Sequence, residues 1–194
     1  MLLRDPIILE NEHVRLEPLS FDHAADLAEA AVGLDHAWYT SVPTPDSIET
    51  DIRERLALRD GGAYNPWAVR RLDTDRVAGM TTYLNIDQAN RHVEIGATWL
   101  AVSAQRTAVN TAAKLLLLGH AFEECDAIAV ELRTHWHNRQ SREAIARLGA
   151  KQDGVLRNHR LGPDGTLRDT VVFSILPAEW PAVRLVLQER LRRG

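Results

Sequence analysis

The 194-residue chain reads as one mixed α/β layer structure, and three observations lead to that reading. Residues 92–102 (HVEIGATWLAV) have strand character and pass through a short polar loop into a helix within 105–122 (QRTAVNTAAKLLLLGHAF). Residues 127–133 (AIAVELR) form a second apolar strand followed by a helix, Arg139 to Leu148, that Gly149 stops. Two pairs of β-like runs, 67–72 with 76–86 and 151–161 with 167–176, are separated by turn residues and read as hairpins.

Taken in order, residues 7–19 (IILENEHVRLEPL) alternate well enough to give a first strand ending at Pro18-Leu19. Ser20 or Asp22 can cap a helix to about Val32, with Ala24, Leu27, Ala28 and Ala31 on one face and Gly33 ending it. A loop from Leu34 to Pro45 holds Trp38 and Tyr39, which serve either as a lid on the core or as part of a substrate pocket. Asp46 caps a second helix to about Arg59, with Ile48, Ile52 and Leu56 inward, and Asp60-Gly61-Gly62 stops it. The first hairpin turns at Asp73-Thr74-Asp75 and the second at Gly162-Pro163-Asp164-Gly165. In the helix after residue 105, Leu115, Leu118, Gly119 and Phe122 fall on one face, so that face is expected to meet the core. Residues 177–193 form a closing helix with a basic end.

Composition narrows the function classes. At 45% hydrophobic and 26% charged residues, the chain has the make-up of a soluble globular protein, and its length suits one domain. No apolar run approaches the ~20 residues of a membrane span, and the acidic N-terminus lacks the pattern of a secretory signal. The single cysteine, Cys125, rules out an internal disulfide framework and suits a reducing cytoplasm. There is no CxxC or HExxH and the histidines are scattered, so no metal site is expected. The charge is uneven: residues 1–100 carry 9 Lys+Arg against 17 Asp+Glu, residues 101–194 carry 14 against 10. An anionic ligand at the C-terminal half and a cationic one near the N-terminal half both fit, unless the fold mixes the halves.

Three stretches can carry chemistry. The start of the helix after Gln105, with Thr107, Asn110 and Thr111 as candidate caps, offers backbone N–H groups and a positive dipole end to a phosphate; an ordinary strand-to-helix connection is the plainer reading. In the strand at 92–102, Glu94 shares a face with His92, Gly96 and Thr98, while Val93, Ile95, Ala97 and Trp99 share the other. An acid in a central strand is costly unless solvated, paired or used. Gly96 on the same face leaves room for a ligand or a bulge. In the helix opened by Asn138, a good N-cap, Ser141 is the polar member of the stripe Ser141, Ala144, Ile145, Leu148. Its hydroxyl either faces the interior or a cleft, or bonds a carbonyl one turn back.

The order of these pieces resembles a known family. A strand with an acid, a polar loop opening a helix, a strand, and then N-x-x-S opening a helix that ends L-G-A are followed by G-V-L-R-N-H-R, a D-G turn, R-D-T-V-V-F-S-I-L and a Trp. With V-R-L-E-P-L at Val14 to Leu19, this is similar to the GCN5-related N-acetyltransferases (GNAT), in their ribosomal-protein N-terminal acetyltransferase (RimJ/RimL)-like branch, over about residues 10–180. The resemblance implies a single GNAT domain spanning residues 1–194: a mixed, mostly antiparallel central sheet flanked by helices on both faces. It implies acetyl-CoA as cofactor, held by Gln105, Arg106, Thr107, Ala108, Val109, Asn110, Thr111 and Ala112 around the pyrophosphate. Leu100 and Val102 would run beside the thioester, and Asn138 and Ser141 beside the pantetheine arm. Glu94 would be the general base and part of the acceptor site with Trp38 and Tyr39, and Ser141 would serve the leaving sulfur. The family's loop is usually Gln/Arg-x-x-Gly-x-Gly/Ala; Ala108 and Asn110 stand at the glycine positions here, and the helix after residue 133 lacks the Tyr that many members use as acid. The expected function is acetyl transfer from acetyl-CoA to a primary amine, a protein N-terminus or a small amine, in a cytoplasmic monomer or homodimer without nucleic-acid or membrane partners. The alternative is an acyl-CoA-binding or sensing domain with a degenerate site, which the missing glycines favour and Glu94, Asn138 and Ser141 disfavour.

Overall fold

A computed structural model describes residues 2–34, 42–162 and 164–193. Eight strands form a single sheet: β1 (Leu9–Glu10), β2 (Val14–Pro18), β3 (Asn65–Arg71), β4 (Arg76–Asp87), β5 (His92–Leu100), β6 (Ala129–His135), β7 (Lys151–Leu161) and β8 (Leu167–Ile175). Their order is β1-β2-β3-β4-β5-β6-β8-β7. Every neighbouring pair is antiparallel except β5 and β6. The helices are α1 (Ala24–Ala30), α2 (Ile48–Asp60), α3 (Ala108–Gly119), α4 (Arg139–Arg147) and α5 (Trp180–Arg193). This is the mixed, mostly antiparallel sheet expected of the GNAT fold.

The first strand expected over residues 7–19 is split in two. Asn11 Oδ1 accepts from the backbone N–H groups of His13 (3.0 Å) and Val14 (3.1 Å), and the chain reverses into a small β1–β2 hairpin. An Asn side chain mimics a backbone turn in this way.

Alternation along the strands feeds two separate cores. Leu19, Leu27, Ile48, Ile52, Ala68 and Met80 pack with Trp99 under α1 and α2. Buried Arg55 fastens α2 to the sheet, its guanidinium donating to Thr82 Oγ1 at 3.1 Å and Asp51 at 2.6 Å. On the opposite face Leu16, Trp67, Tyr83, Val93, Ile95, Leu132, Val171 and Phe173 pack with residues of α3, α4 and α5. The helix α3 turns Val109, Ala112, Ala113, Leu117 and Leu118 inward. Leu118 is thus in the expected stripe, and Leu115 and Phe122 pack against the same core, where the stripe meets Trp180 of α5: a Cβ on Gly119 would meet Trp180 at 3.8 Å, and Phe122 lies 5.7 Å from the Trp180 ring.

Candidate active site

The parallel contact between β5 and β6 is short. It pairs His92 with Ala129, Val93 with Val130 and Glu94 with Glu131, and there it stops. Beyond it, β5 continues against β4 to Leu100, and β6 continues against β8 to His135. The sheet therefore opens into a wedge whose apex is Glu94 and Glu131.

A bulge shapes the β5 side of this wedge. Thr82 pairs with Gly96 but Met80 with Trp99, so β5 holds one extra residue, and Ala97 takes φ +45°. The extra residue reverses the alternation. Trp99 joins the α1–α2 core while Val93 and Ile95 stay in the α3 core, correcting the expectation that all three share a face. Gly79, at φ +148°, makes this geometry possible: a Cβ there would stand 2.1 Å from the Trp99 carbonyl oxygen.

Glu94 lies on the α1–α2 face and is 6% exposed. Its carboxylate accepts from Asn85 Nδ2 at 2.7 Å. Arg133 Nε is 3.6 Å away, but that guanidinium is bonded to Glu131, at 2.7 Å through Nε. Arg70, the other partner considered for Glu94, belongs to Glu17 at 2.8 Å. Burial pushes the Glu94 carboxyl above its ordinary range, with Glu131 adding to the effect, while Arg133, Asn85 and Arg160 pull the other way. The room left by Gly96 is filled by neighbours: a Cβ there would meet Leu84 at 2.7 Å and Glu94 Oε1 at 3.1 Å. Gly96 thus makes space for the carboxylate itself.

The loop after β5 is pinned at both ends. Gln105 Nε2 donates to the Leu100 carbonyl at 3.0 Å. Thr107 caps α3, its hydroxyl accepting from Val109 N at 3.3 Å and donating to the Ala104 carbonyl at 2.7 Å. Val109 and Ala112 point into the core, so those two can meet a ligand through backbone alone. Val102 is exposed, and Leu100 is buried. Ala108 and Asn110 have no positive φ; the left-handed residue of the loop is Arg106, at φ +60°. The backbone of α3 therefore starts normally without the usual glycines. A groove of about 290 Å³ runs from this helix start to the end of α5, lined by Arg106, Thr107, Ala108, Thr111, Arg190, Leu191 and Arg193. Three guanidinium groups and a helix N-terminus give it the donor set of a polyanion site.

On the other side of the wedge, Asn138 caps α4 by accepting from Ser141 N at 3.0 Å. The Ser141 hydroxyl makes no back-bond to the preceding turn among the described residues, and the residue is half-buried. Ile145, one turn on, lies in the α3-side core, so α4 and Ser141 sit on the face opposite Glu94. Trp38 and Tyr39 lie outside the described residues.

Lys114, expected with Asn110 to be a polar partner of the variant loop, turns to the sheet instead. It is buried under the bulge, with Nζ donating to Thr98 Oγ1 at 2.8 Å and Thr81 Oγ1 at 3.3 Å, and the two hydroxyls bond each other at 2.8 Å. Desolvation pulls its pKa from 10.5 to about 7. The signal was present, since Lys114 stands four residues before Leu118 and so on its stripe. Among the described residues no cluster of His, Cys, Asp and Glu could hold a metal, and no helix is long and apolar enough to cross a membrane.

Comparison with known proteins agrees with this architecture. The acetyltransferase (GNAT) domain family matches residues 13–151. The chain is 30% identical over 176 residues to "Putative ribosomal N-acetyltransferase YdaF" of Bacillus subtilis (strain 168), covering 88% of this chain and 94% of that one. A crystal structure of a GCN5-related N-acetyltransferase from Brucella melitensis superposes with TM-score 0.87 at 29% identity, covering 96% of this chain and 86% of that one. Mycobacterium smegmatis RimJ, solved in complex with CoA-disulfide, shares the fold at TM-score 0.75 and 23% identity, over 96% and 97% of the two chains. The family model covers most of the chain and the Bacillus subtilis relative nearly its full length, so the protein belongs to the GNAT family of acetyl-CoA-dependent N-acetyltransferases.

Proposed function

We propose that the protein transfers the acetyl group of acetyl-CoA to a primary amine, a protein N-terminus or a small amine, by direct attack within the β5–β6 wedge. The observation that carries this reading is the wedge itself, with a buried carboxylate at its apex and a polyanion groove leading away from it. In this reading Gln105 to Ala112 and the α5 arginines hold the phosphates, and Asn138 and Ser141 flank the pantetheine arm. When bound, acetyl-CoA supplies the thioester carbon as electrophile and a thiol as leaving group.

The chain's own residues handle charge and protons. An amine reaches the site protonated and is not a nucleophile in that state. Glu94, carrying a raised pKa, takes that proton at a carboxylate oxygen, which frees the nitrogen lone pair before the new N–C bond forms. Its charge also draws the cationic amine to the apex. The N–H groups of the bulged β5 edge past Gly96 face the wedge and are donors for charge developing on the carbonyl oxygen. Ser141, approaching from the opposite face, donates a hydrogen bond where the C–S bond breaks; the nitrogen gives its second proton to solvent as the amide forms, and solvent protonates the sulfur. Release of free thiol from acetyl-CoA in the presence of an amine pool, absent without amine, is the expected result. Tight acetyl-CoA binding with no amine-dependent release would favour the second reading, an acyl-CoA sensor, whose support is Ala108 and Asn110 at the usual glycine positions of the loop.

A further inference from the structure

The face of the sheet that carries Glu94 also carries an unneutralised pair of arginines. Register partners share a face, so Glu94 and Glu131, then Glu131 and Ser174, and then every second residue of β8 back to Arg168 lie on one side. Arg160 of β7 stands directly opposite Arg168. Like charges facing each other across antiparallel strands are destabilising. Arg133, also on this face, is satisfied by Glu131. Among the described residues Arg160 and Arg168 form no ion pair, and Arg168 Nε is buried without a hydrogen-bond partner. Burial and Arg160 hold the Arg168 guanidinium below its usual value, and Glu94 is the group that opposes them. Arg160 in turn acts on Glu94, and burial together with Arg160, Arg133 and Arg168 lowers His159, so these charges share one field.

A half-buried guanidinium with an unused donor, held against a second one, is complementary to a carboxylate. Beside it, Glu94 is complementary to an ammonium. We propose that Arg160 and Arg168 receive an anionic group of the acceptor, so that the preferred substrate is a primary amine with a carboxylate close by: a free amino acid, or a peptide N-terminus followed by an acidic side chain. This deepens the reading of the wedge as an acetyl-transfer site and rests on it. Two opposite charges on the acceptor would then fix its orientation, with the amine at Glu94 and the acid toward β7–β8.

The test compares acceptors that differ by one charge. Acetyl transfer is measured to the peptide amides Ala-Asp-Ala and Ala-Asn-Ala, and to free alanine and alaninamide. The acidic member of at least one pair should show kcat/KM higher by about tenfold or more. Preference within the peptide pair points to a peptide acceptor, and preference within the alanine pair to a free amino acid. In the double variant Arg160→Gln/Arg168→Gln the ratio should fall toward one. Melting temperature should hold or rise in Arg160→Gln, since a repulsion is removed. Equal kcat/KM within both wild-type pairs, or an unchanged ratio in the double variant, overturns the proposal. If no acceptor is turned over, the acetyl-transfer reading fails, and calorimetric binding of the two peptides to the CoA-loaded protein decides the anion pair separately. Tighter binding of the acidic peptide, lost in the double variant, upholds it; equal affinities or no binding overturn it.

Discussion

Glu94→Gln separates a base from a structural carboxylate. The substitution keeps shape, and a Gln carbonyl oxygen can still accept the 2.7 Å bond from Asn85 Nδ2. What it removes is a buried charge and a proton acceptor. The folded-state pKa of Glu94 is raised, so the folded protein holds the proton more tightly than the unfolded chain. Stability from this group is then fully present below the unfolded pKa and lost as pH rises through the folded one. At neutral pH the charge costs stability, and Glu94→Gln should melt at or above the wild-type temperature. Turnover should move the other way. Loss of a general base costs roughly 10²–10⁴ in rate, or about 3–5 kcal/mol of barrier. That loss should shrink at high pH, where the amine is already neutral. The assay is steady-state thiol release from pH 6 to 10 with thermal melting of both proteins in parallel. Near-normal turnover at neutral pH would remove Glu94 from the chemistry. A melting temperature that falls while the pH–rate profile keeps its shape would make it a structural partner of Arg133.

Three further outcomes follow from the geometry. Ser141→Ala should lower kcat while leaving the melting temperature nearly unchanged, because the hydroxyl makes no bond to the helix; a fall in melting temperature with normal kcat would show a core role. Ala108→Glu puts a carboxylate at the first position of α3, facing the arginine-lined groove, and should weaken acetyl-CoA binding by about tenfold or more in calorimetry. Unchanged affinity would mean the phosphates lie elsewhere. Lys114 has a folded pKa of about 7 against an ordinary 10.5, so the unfolded chain binds more protons between those values, and stability contributed through this group rises with pH across that window. The melting temperature of Lys114→Met should therefore stand highest relative to wild type near pH 6 and lose ground toward pH 10; a difference independent of pH would show that Lys114 does not titrate there.

Local sequence determined the order of strands and helices because the signals are short-range. Asn138 caps α4, Gly149 ends it at φ +99°, and the strand–loop–helix unit around Thr107 forms where its polar loop and apolar stripe require. Alternation also put Glu94 on the correct side of β5, since the bulge comes after it. Trp99 was misplaced for the same reason: an extra residue at Ala97 depends on how β4 and β5 pair, and a period of two cannot register it. The wedge is likewise invisible locally, because β5 and β6 each keep a partner on their outer side and simply stop pairing with each other after Glu94 and Glu131. The residue type marks Lys114 as a polar partner for the loop, and only the tertiary structure brings Thr81 and Thr98, from two different strands, under it. Arg160 and Arg168 lie on either side of a hairpin turn, and only the β7–β8 register sets them face to face on the side of the sheet that holds Glu94. Propensity and periodicity act within a few residues, whereas a site for a charged ligand is a sum of fields from strands far apart in the chain, and that sum exists only once the sheet has chosen its neighbours.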